Sequence, residues 1–165
     1  MSVKFKIVAG WLAFILVADQ LTKFFVDRTM PLHHSIPVIE NLFNLTYIRN
    51  TGAAFGIFAG SAAAFRLPFL ILVSVAAAGF ICALLWRLPE NEKGLITALA
   101  FILGGAIGNL IDRVVYGEVI DFLDFYWSGY HWPAFNVADS FITVGVAITV
   151  FYLIKAKGKD PFAHR

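Results

Sequence analysis

Two aspartates eighteen residues apart, Asp121 in Val119-Ile-Asp-Phe122 and Asp139 in Phe135-Asn-Val-Ala-Asp139, lie beside the last apolar run of a chain that is 59% hydrophobic. A carboxylate near hydrocarbon is costly and is retained mainly where it faces a partner or a water-filled site. Two carboxylates held close together cannot easily both ionise, so one keeps a proton while the other accepts one from a water between them. Such a pair can drive attack of water on a carbonyl and then protonate the leaving amine. Neither a covalent intermediate nor a metal is required, and no Cys/His cluster or HExxH pattern points to zinc.

The elements that must position this pair follow from composition. With 165 residues, 15% charged, and a mean hydropathy of +0.76, the chain falls in the membrane class. A helix covers about 30 Å of hydrocarbon with roughly 20 apolar residues. Four such runs are present, over residues 7–25, 67–86, 95–115 and 138–154, so the whole chain 1–165 reads as a single integral membrane domain. Lys4 and Lys6 before the first run imitate a secretory signal peptide, but no small-x-small cleavage site follows and Asp19 and Lys23 interrupt it. It is read as an uncleaved first span.

Lys4, Lys6, Arg87, Lys93, Lys155, Lys157, Lys159 and Arg165 are eight of the thirteen basic residues, and all fall at the termini or in the short second loop. That side is cytoplasmic by the positive-inside rule, which leaves both long loops outside. The net charge of +2 is no nucleic-acid signature, because the basic residues serve topology instead of forming one patch. The single cysteine, Cys82, lies mid-span, while His33, His34, His131 and His164 lie outside the spans. Without a base, Cys82 reads as a small packing residue.

Both outer loops carry patterns of their own. In the first, about Asp27 to Arg66, Phe43, Leu45 and Tyr47 alternate with Asn44, Thr46 and Ile48, which predicts a strand in a small sheet-like cradle on the outer membrane surface. A turn-rich stretch, Asn50-Thr-Gly-Ala-Ala-Phe-Gly56, follows it. The second loop, Tyr116 to Val137, is dense in rings suited to the headgroup level. Ile120, Leu123 and Trp127 recur at helical spacing, which predicts a short interfacial helix before a Ser128-Gly129 turn.

Further polar groups gather at the outer ends of the spans. Asp19 and Lys23 stand four apart in the favourable acid-first order, so mutual neutralisation is preferred over direct substrate contact. The third span ends Gly104-Gly-Ala-Ile-Gly-Asn-Leu-Ile-Asp-Arg113, where Gly104 and Gly108 form a small-xxx-small face and Asn109, Asp112 and Arg113 follow. Asn136 and Asp139 have the spacing of a capping box at the start of the fourth span. Capping and catalysis are compatible roles for them.

Taken together, Asp19-x-x-x-Lys23, Asn50-x-Gly-Ala-Ala-Phe55, Gly104-Gly-Ala-x-Gly-Asn-x-x-Asp-Arg113, Val119-x-Asp-Phe122 and Phe135-Asn-x-Ala-Asp139 resemble the lipoprotein signal peptidases, the bacterial signal peptidase II family. The match covers nearly the whole chain in motif order. The resemblance implies an intramembrane aspartic endopeptidase that cuts a prolipoprotein just before its diacylglyceryl-modified cysteine. It also implies a multi-pass protein of the bacterial plasma (inner) membrane, with its site near the outer, periplasmic face. In that family the positions of Asp121 and Asp139 are the catalytic dyad, and those of Asn109, Arg113 and Asn136 line the site. Asp19, Lys23, Asn50, Gly52 and Ala138 match supporting or substrate-contacting positions. The implied partners are the lipidated precursor, membrane lipid and globomycin-type inhibitors, with no cofactor and a monomeric chain.

Asp139 falls in the first turn of a predicted helix, where the positive dipole end favours the anion, so it is the expected base and Asp121 the acid. The competing class is a small transporter or channel, whose polar residues would run through the full membrane depth. Here they gather at the outer ends. The Gly-x-Gly-Asp signature of presenilin-like and prepilin peptidases is absent.

Overall fold

The computed structural model describes residues 2–52 and 62–155. The predicted turn beyond Gly52 and the basic residues after Lys155 lie outside the described residues. Four long helices are present: α1 (Val3–Thr29), α2 (Ala63–Arg87), α3 (Lys93–Tyr116) and α4 (Val137–Lys155). Each contains the run of apolar residues predicted for it and extends it by a few residues, and each is long and apolar enough to cross a membrane. Between them lie β1 (Ser35–Ile39), β2 (Phe43–Asn50), β3 (Val119–Trp127) and β4 (Tyr130–His131).

Helix α3 is the hub, packing on α1, α2 and α4. It buries twelve residues, whereas α4 buries only Ala138 and Gly145. The other helices turn large apolar side chains outward, among them Phe14, Val17, Leu21, Phe65, Leu72, Phe80 and Phe151. Apolar surface that no protein covers on every side of a bundle is suited to lipid. Cys82 belongs to this outward surface of α2 and does not pack inside the bundle, contrary to expectation.

The glycines of α3 serve two neighbours, Gly104 and Gly108 facing α1 and Gly105 facing α4. A Cβ on Gly104 would meet Ile15 of α1 at 3.0 Å, and one on Gly108 would meet Asp19 Oδ2 at 2.7 Å and Ala138 Cβ at 3.3 Å. The α3–α4 crossing is built instead on Gly105, 2.4 Å from the Ala138 carbonyl oxygen by the same measure, and on Gly145 of α4 against Ala98 O at 2.7 Å. Gly104 and Gly108 therefore share one face of α3 toward α1, where they meet Ile15 and Asp19, four residues apart. Helix α3 ends on Gly117, whose left-handed φ of 76° lets its N–H return to Arg113 O.

The sheet is antiparallel in the order β1-β2-β3-β4 and joins both long loops at one end of the bundle. β2 is the strand expected from its alternation. β3 corrects the expected interfacial helix, since residues 119–127 are extended and pair with β2 through Phe43↔Phe125, Leu45↔Leu123, Ile48↔Asp121 and Asn50↔Val119. The spacing of Ile120, Leu123 and Trp127 fits a helix, but the segment is rich in β-branched and aromatic residues and its first four side chains are buried. A free β2 edge supplies its backbone partners, which decides the matter.

The Ser128-Gly129 turn joins β3 to β4 with positive φ at both residues, as a two-residue hairpin requires. The sheet is seated on the end of α1 through Val26, Met30, Tyr47, Ile120 and Phe122. The Phe135 carbonyl accepts from the Phe122 and Leu123 amides at 3.0 and 2.8 Å. That bridge draws the start of α4 against β3.

Candidate active site

Where β3, the end of β2 and the start of α4 meet, Asp121 and Asp139 face a common set of amides. Asp121 is 2% exposed, and both its oxygens are held: Oδ1 accepts from Asn136 Nδ2 at 2.8 Å, Oδ2 from Asn50 Nδ2 at 3.0 Å. Asp139 accepts from Asn109 Nδ2 at 2.7 Å through Oδ1 and from the Asn136 backbone N–H at 3.3 Å through Oδ2. Asn136 returns the contact, its Oδ1 accepting from the Asp139 N–H at 2.9 Å. This is the capping box read from the sequence, and it starts α4. The same Asn136 carboxamide also reaches Asp121, so one side chain serves both aspartates.

Asn109 sits at the centre. Its Oδ1 accepts from Asn136 Nδ2 at 3.1 Å and from Lys23 Nζ at 3.0 Å, which orients its Nδ2 toward Asp139. Arg113, one turn further along α3, spans from the Asn109 carbonyl to the Gly52 carbonyl, both at 3.5 Å. Gly52 in turn donates its N–H to Asn50 Oδ1 at 2.9 Å, fixing the amide that holds Asp121. Burial and then the Asp139 carboxylate push the Asp121 carboxyl up to about 7, against the Asn50 and Asn136 hydrogen bonds and the Lys23 charge.

Asn50, Gly52, Asn109, Arg113, Asn136 and the two aspartates thus form one cluster. Asp19, Lys23 and Ala138 stand one layer behind it: Lys23 Nζ is 2.8 Å from Asp19 Oδ2, and Asp19 Oδ1 accepts the Ala138 N–H at 2.9 Å. Gln20, which no sequence motif singles out, donates to Asp112, Asp19 and the Gly108 carbonyl at 3.0, 3.1 and 3.3 Å. Asp112, grouped in the sequence with Asn109 and Arg113 but given no role of its own, is fully buried and pairs with Lys23 at 2.9 Å. Its place three residues after Asn109, on the same face of α3, was the available signal. Among the described residues, no three His, Cys, Asp or Glu side chains are grouped so as to hold a metal ion.

Two further polar groups brace the sheet. Arg49 donates to Asp27 Oδ1 at 2.6 Å and to the Tyr47 hydroxyl at 2.7 Å, and lies over the Tyr116 ring. Asp124 accepts from Asn44 at 2.9 Å and contacts His131, which stacks on Tyr126.

A protein-family model for signal peptidase (SPase) II matches residues 11–155. The lipoprotein signal peptidase of Geobacter sulfurreducens is 57% identical over 140 residues, 85% of this chain and 86% of its own. That of Syntrophus aciditrophicus is 48% identical over 151 residues, 92% of each chain. A solved bacterial membrane enzyme, determined by the in meso method at 2.3 Å resolution, aligns with a TM-score of 0.83 at 31% identity. The alignment covers 96% of this chain and 94% of that one.

Proposed function

Because this chain belongs to the signal peptidase II family, we propose that it removes the signal peptides of prolipoproteins, with Asp121 and Asp139 as its catalytic dyad. The observation that carries the assignment is that one residue holds both carboxylates: Asn136 donates its side-chain Nδ2 to Asp121 and its backbone N–H to Asp139. One of them, Asp121, is pushed up to about 7 by burial and by the other. A carboxyl poised there holds a proton at neutral pH and can donate it.

Asp139, in the first turn of α4, accepts a proton from the attacking water, helped by the helix dipole. Asp121 hydrogen-bonds the scissile carbonyl oxygen and stabilises the tetrahedral intermediate. The proton taken by Asp139 then passes to the leaving amine, and the pair returns to its singly protonated state. The bond cut is the one before the diacylglyceryl-modified cysteine. Arg113 and Asn50 hold the 50–52 segment at the rim, where the substrate backbone would lie.

Orientation follows the positive-inside rule, with both termini cytoplasmic and the sheet end at the outer face of the plasma membrane. Water is available at that depth while the signal-peptide helix and acyl chains stay in lipid. The exposed rings of Trp127 and Tyr130 suit the headgroup level. One chain supplies every group in the cluster, so a monomer suffices, and a globomycin-type inhibitor would compete for the same site.

A transport reading finds little support in the distribution of buried polar groups. Among the described residues the buried charges and amides of the helices are Asp19, Lys23, Asn109 and Asp112, all toward the sheet end. The half-buried Ser74 and Thr149 are satisfied by carbonyls of their own helices. The deciding experiment replaces Asp121 and Asp139 singly by Asn in well-expressed protein and assays cleavage of a lipidated precursor. Loss of cleavage in both is expected. Full activity in either variant rules out the dyad.

A further inference from the structure

Each residue that immediately precedes an aspartate of the dyad is held by a buried carboxylate from another element. The Ala138 N–H donates to Asp19 Oδ1 at 2.9 Å, and the Ile120 N–H donates to Asp112 Oδ2 at 3.2 Å. The two carboxylates come from α1 and α3 and share one cation. Lys23 Nζ lies 2.8 Å from Asp19 Oδ2 and 2.9 Å from Asp112 Oδ2. Its remaining short contact is Asn109 Oδ1 at 3.0 Å, the other end of the carboxamide that donates to Asp139. Gln20 ties the same two carboxylates from a second direction. Asp19 and Asp112 are wholly buried and Lys23 is 2% exposed.

We infer that the Asp19–Lys23–Asp112 triad sets the separation and orientation of the Asp121 and Asp139 carboxylates, with Lys23 as a positioning residue that never meets the substrate. The inference rests on the dyad assignment above. A buried ion group of this kind is seldom a source of stability, since well-packed apolar residues often do as well or better. What it adds is geometry. A backbone N–H anchored one residue before each aspartate fixes where its Cα sits, and catalytic groups must be held to within about 0.5 Å.

An ammonium satisfies three acceptors arranged around one point, here two carboxylates and one amide oxygen. A guanidinium, planar and longer, cannot reproduce that arrangement. The other charged groups facing the triad are Arg113 on α3, Asp121 on β3 and Asp139 on α4. Loss of the Lys23 charge removes a favourable field from both aspartates and leaves Asp19 and Asp112 without a counter-ion. Loss of the Asp112 charge leaves the Lys23 field less cancelled. The two changes should therefore move the titration of the dyad in opposite directions.

The test uses the full chain in detergent micelles with a lipidated precursor peptide as probe. It measures kcat, KM and the pH profile of Lys23→Met and Asp112→Asn beside Asp121→Asn and Asp139→Asn. Lys23→Met should lower kcat about 100-fold, the cost of a misplacement on the scale of 1 Å, with its acid limb moved to higher pH. Asp112→Asn keeps an oxygen for the Ile120 N–H, so it should lose about tenfold in kcat with KM little changed, and its acid limb should move to lower pH. If Lys23→Met does not fold, Asp112→Asn decides alone through its rate loss and the direction of its limb. Parental kcat in the folded variants, an effect on KM alone, or limbs that move the same way would overturn the inference. So would complete loss in Asp112→Asn at every pH, which would make Asp112 a reacting carboxylate. Activity in Asp121→Asn or Asp139→Asn would instead defeat the dyad reading beneath it.

Discussion

Substitutions of Asn136 separate helix capping from catalysis, because its two carboxamide ends do different jobs. Oδ1 caps α4 by accepting the Asp139 N–H at 2.9 Å. Nδ2 donates to Asp121 Oδ1 at 2.8 Å, to Asn109 Oδ1 at 3.1 Å and to the Ile120 carbonyl at 3.3 Å. Loss of an N-cap costs about 1 kcal/mol of stability. Leaving a buried polar group short of its partner costs about 1–3 kcal/mol, and where the lost bond orients a reacting carboxyl that is roughly a 5- to 150-fold fall in rate.

Asn136→Ser keeps a capping oxygen and drops the amide donor. It should unfold near the parental temperature in detergent yet cleave a lipidated precursor peptide about 5- to 150-fold more slowly, in kcat more than KM. Asn136→Asp retains the cap but aims an acceptor at three acceptors, so it should be slower still. Asn136→Ala loses both functions. Rates for Asn136→Ser within about threefold of the parent, with Asn136→Ala slow only in proportion to its unfolded fraction, would show that Asn136 is a cap alone.

The dyad also predicts a pH dependence. With the Asp121 carboxyl at about 7 and required in its protonated form, kcat/KM should decline as pH rises through that region. The linkage has the same sign: the folded value lies above the unfolded one, so the stability tied to this proton is full below the ordinary carboxyl range and is lost as pH rises through about 7. Thermal unfolding at pH 5 and pH 8.5 checks it, and Asp121→Asn should flatten the difference. At the α3–α4 crossing, a Cβ at Gly105 would stand 2.4 Å from the Ala138 carbonyl oxygen and 2.6 Å from Ile142 Cγ1. Gly105→Ala should cost about 1–3 kcal/mol and lower kcat by displacing Asp139, while Gly79→Ala, with nothing within 4 Å, should be neutral or gain up to about 1 kcal/mol. Equal unfolding temperatures for the two variants would count against the close crossing.

What was legible in the sequence followed the range over which each signal acts. The spans could be read because about 20 apolar residues in a row have few other uses, and β2 because alternation of Phe43, Leu45 and Tyr47 is local. The Asn136–Asp139 cap was legible for the same reason, as its partners are three residues apart. The β3 segment has helical spacing because nine residues leave the period ambiguous, and the arbiter, the free edge of β2, lies some seventy to eighty residues earlier in the chain. Gln20 and Asp112 were missed as a pair on similar grounds. Their contact joins α1 to α3 across 92 positions, and no local pattern announces that pairing. Asp19 and Lys23, four apart, could be paired on the page, but the third member that turns the pair into a bracket around both aspartates could not. In this protein the local code specifies helices, cap and one strand, while the site depends on where an end of each of three elements meets the others. That junction is fixed by buried charges whose partners are distant in sequence, so substitutions at Lys23 and Asp112 probe the part of the site that pattern reading could not reach.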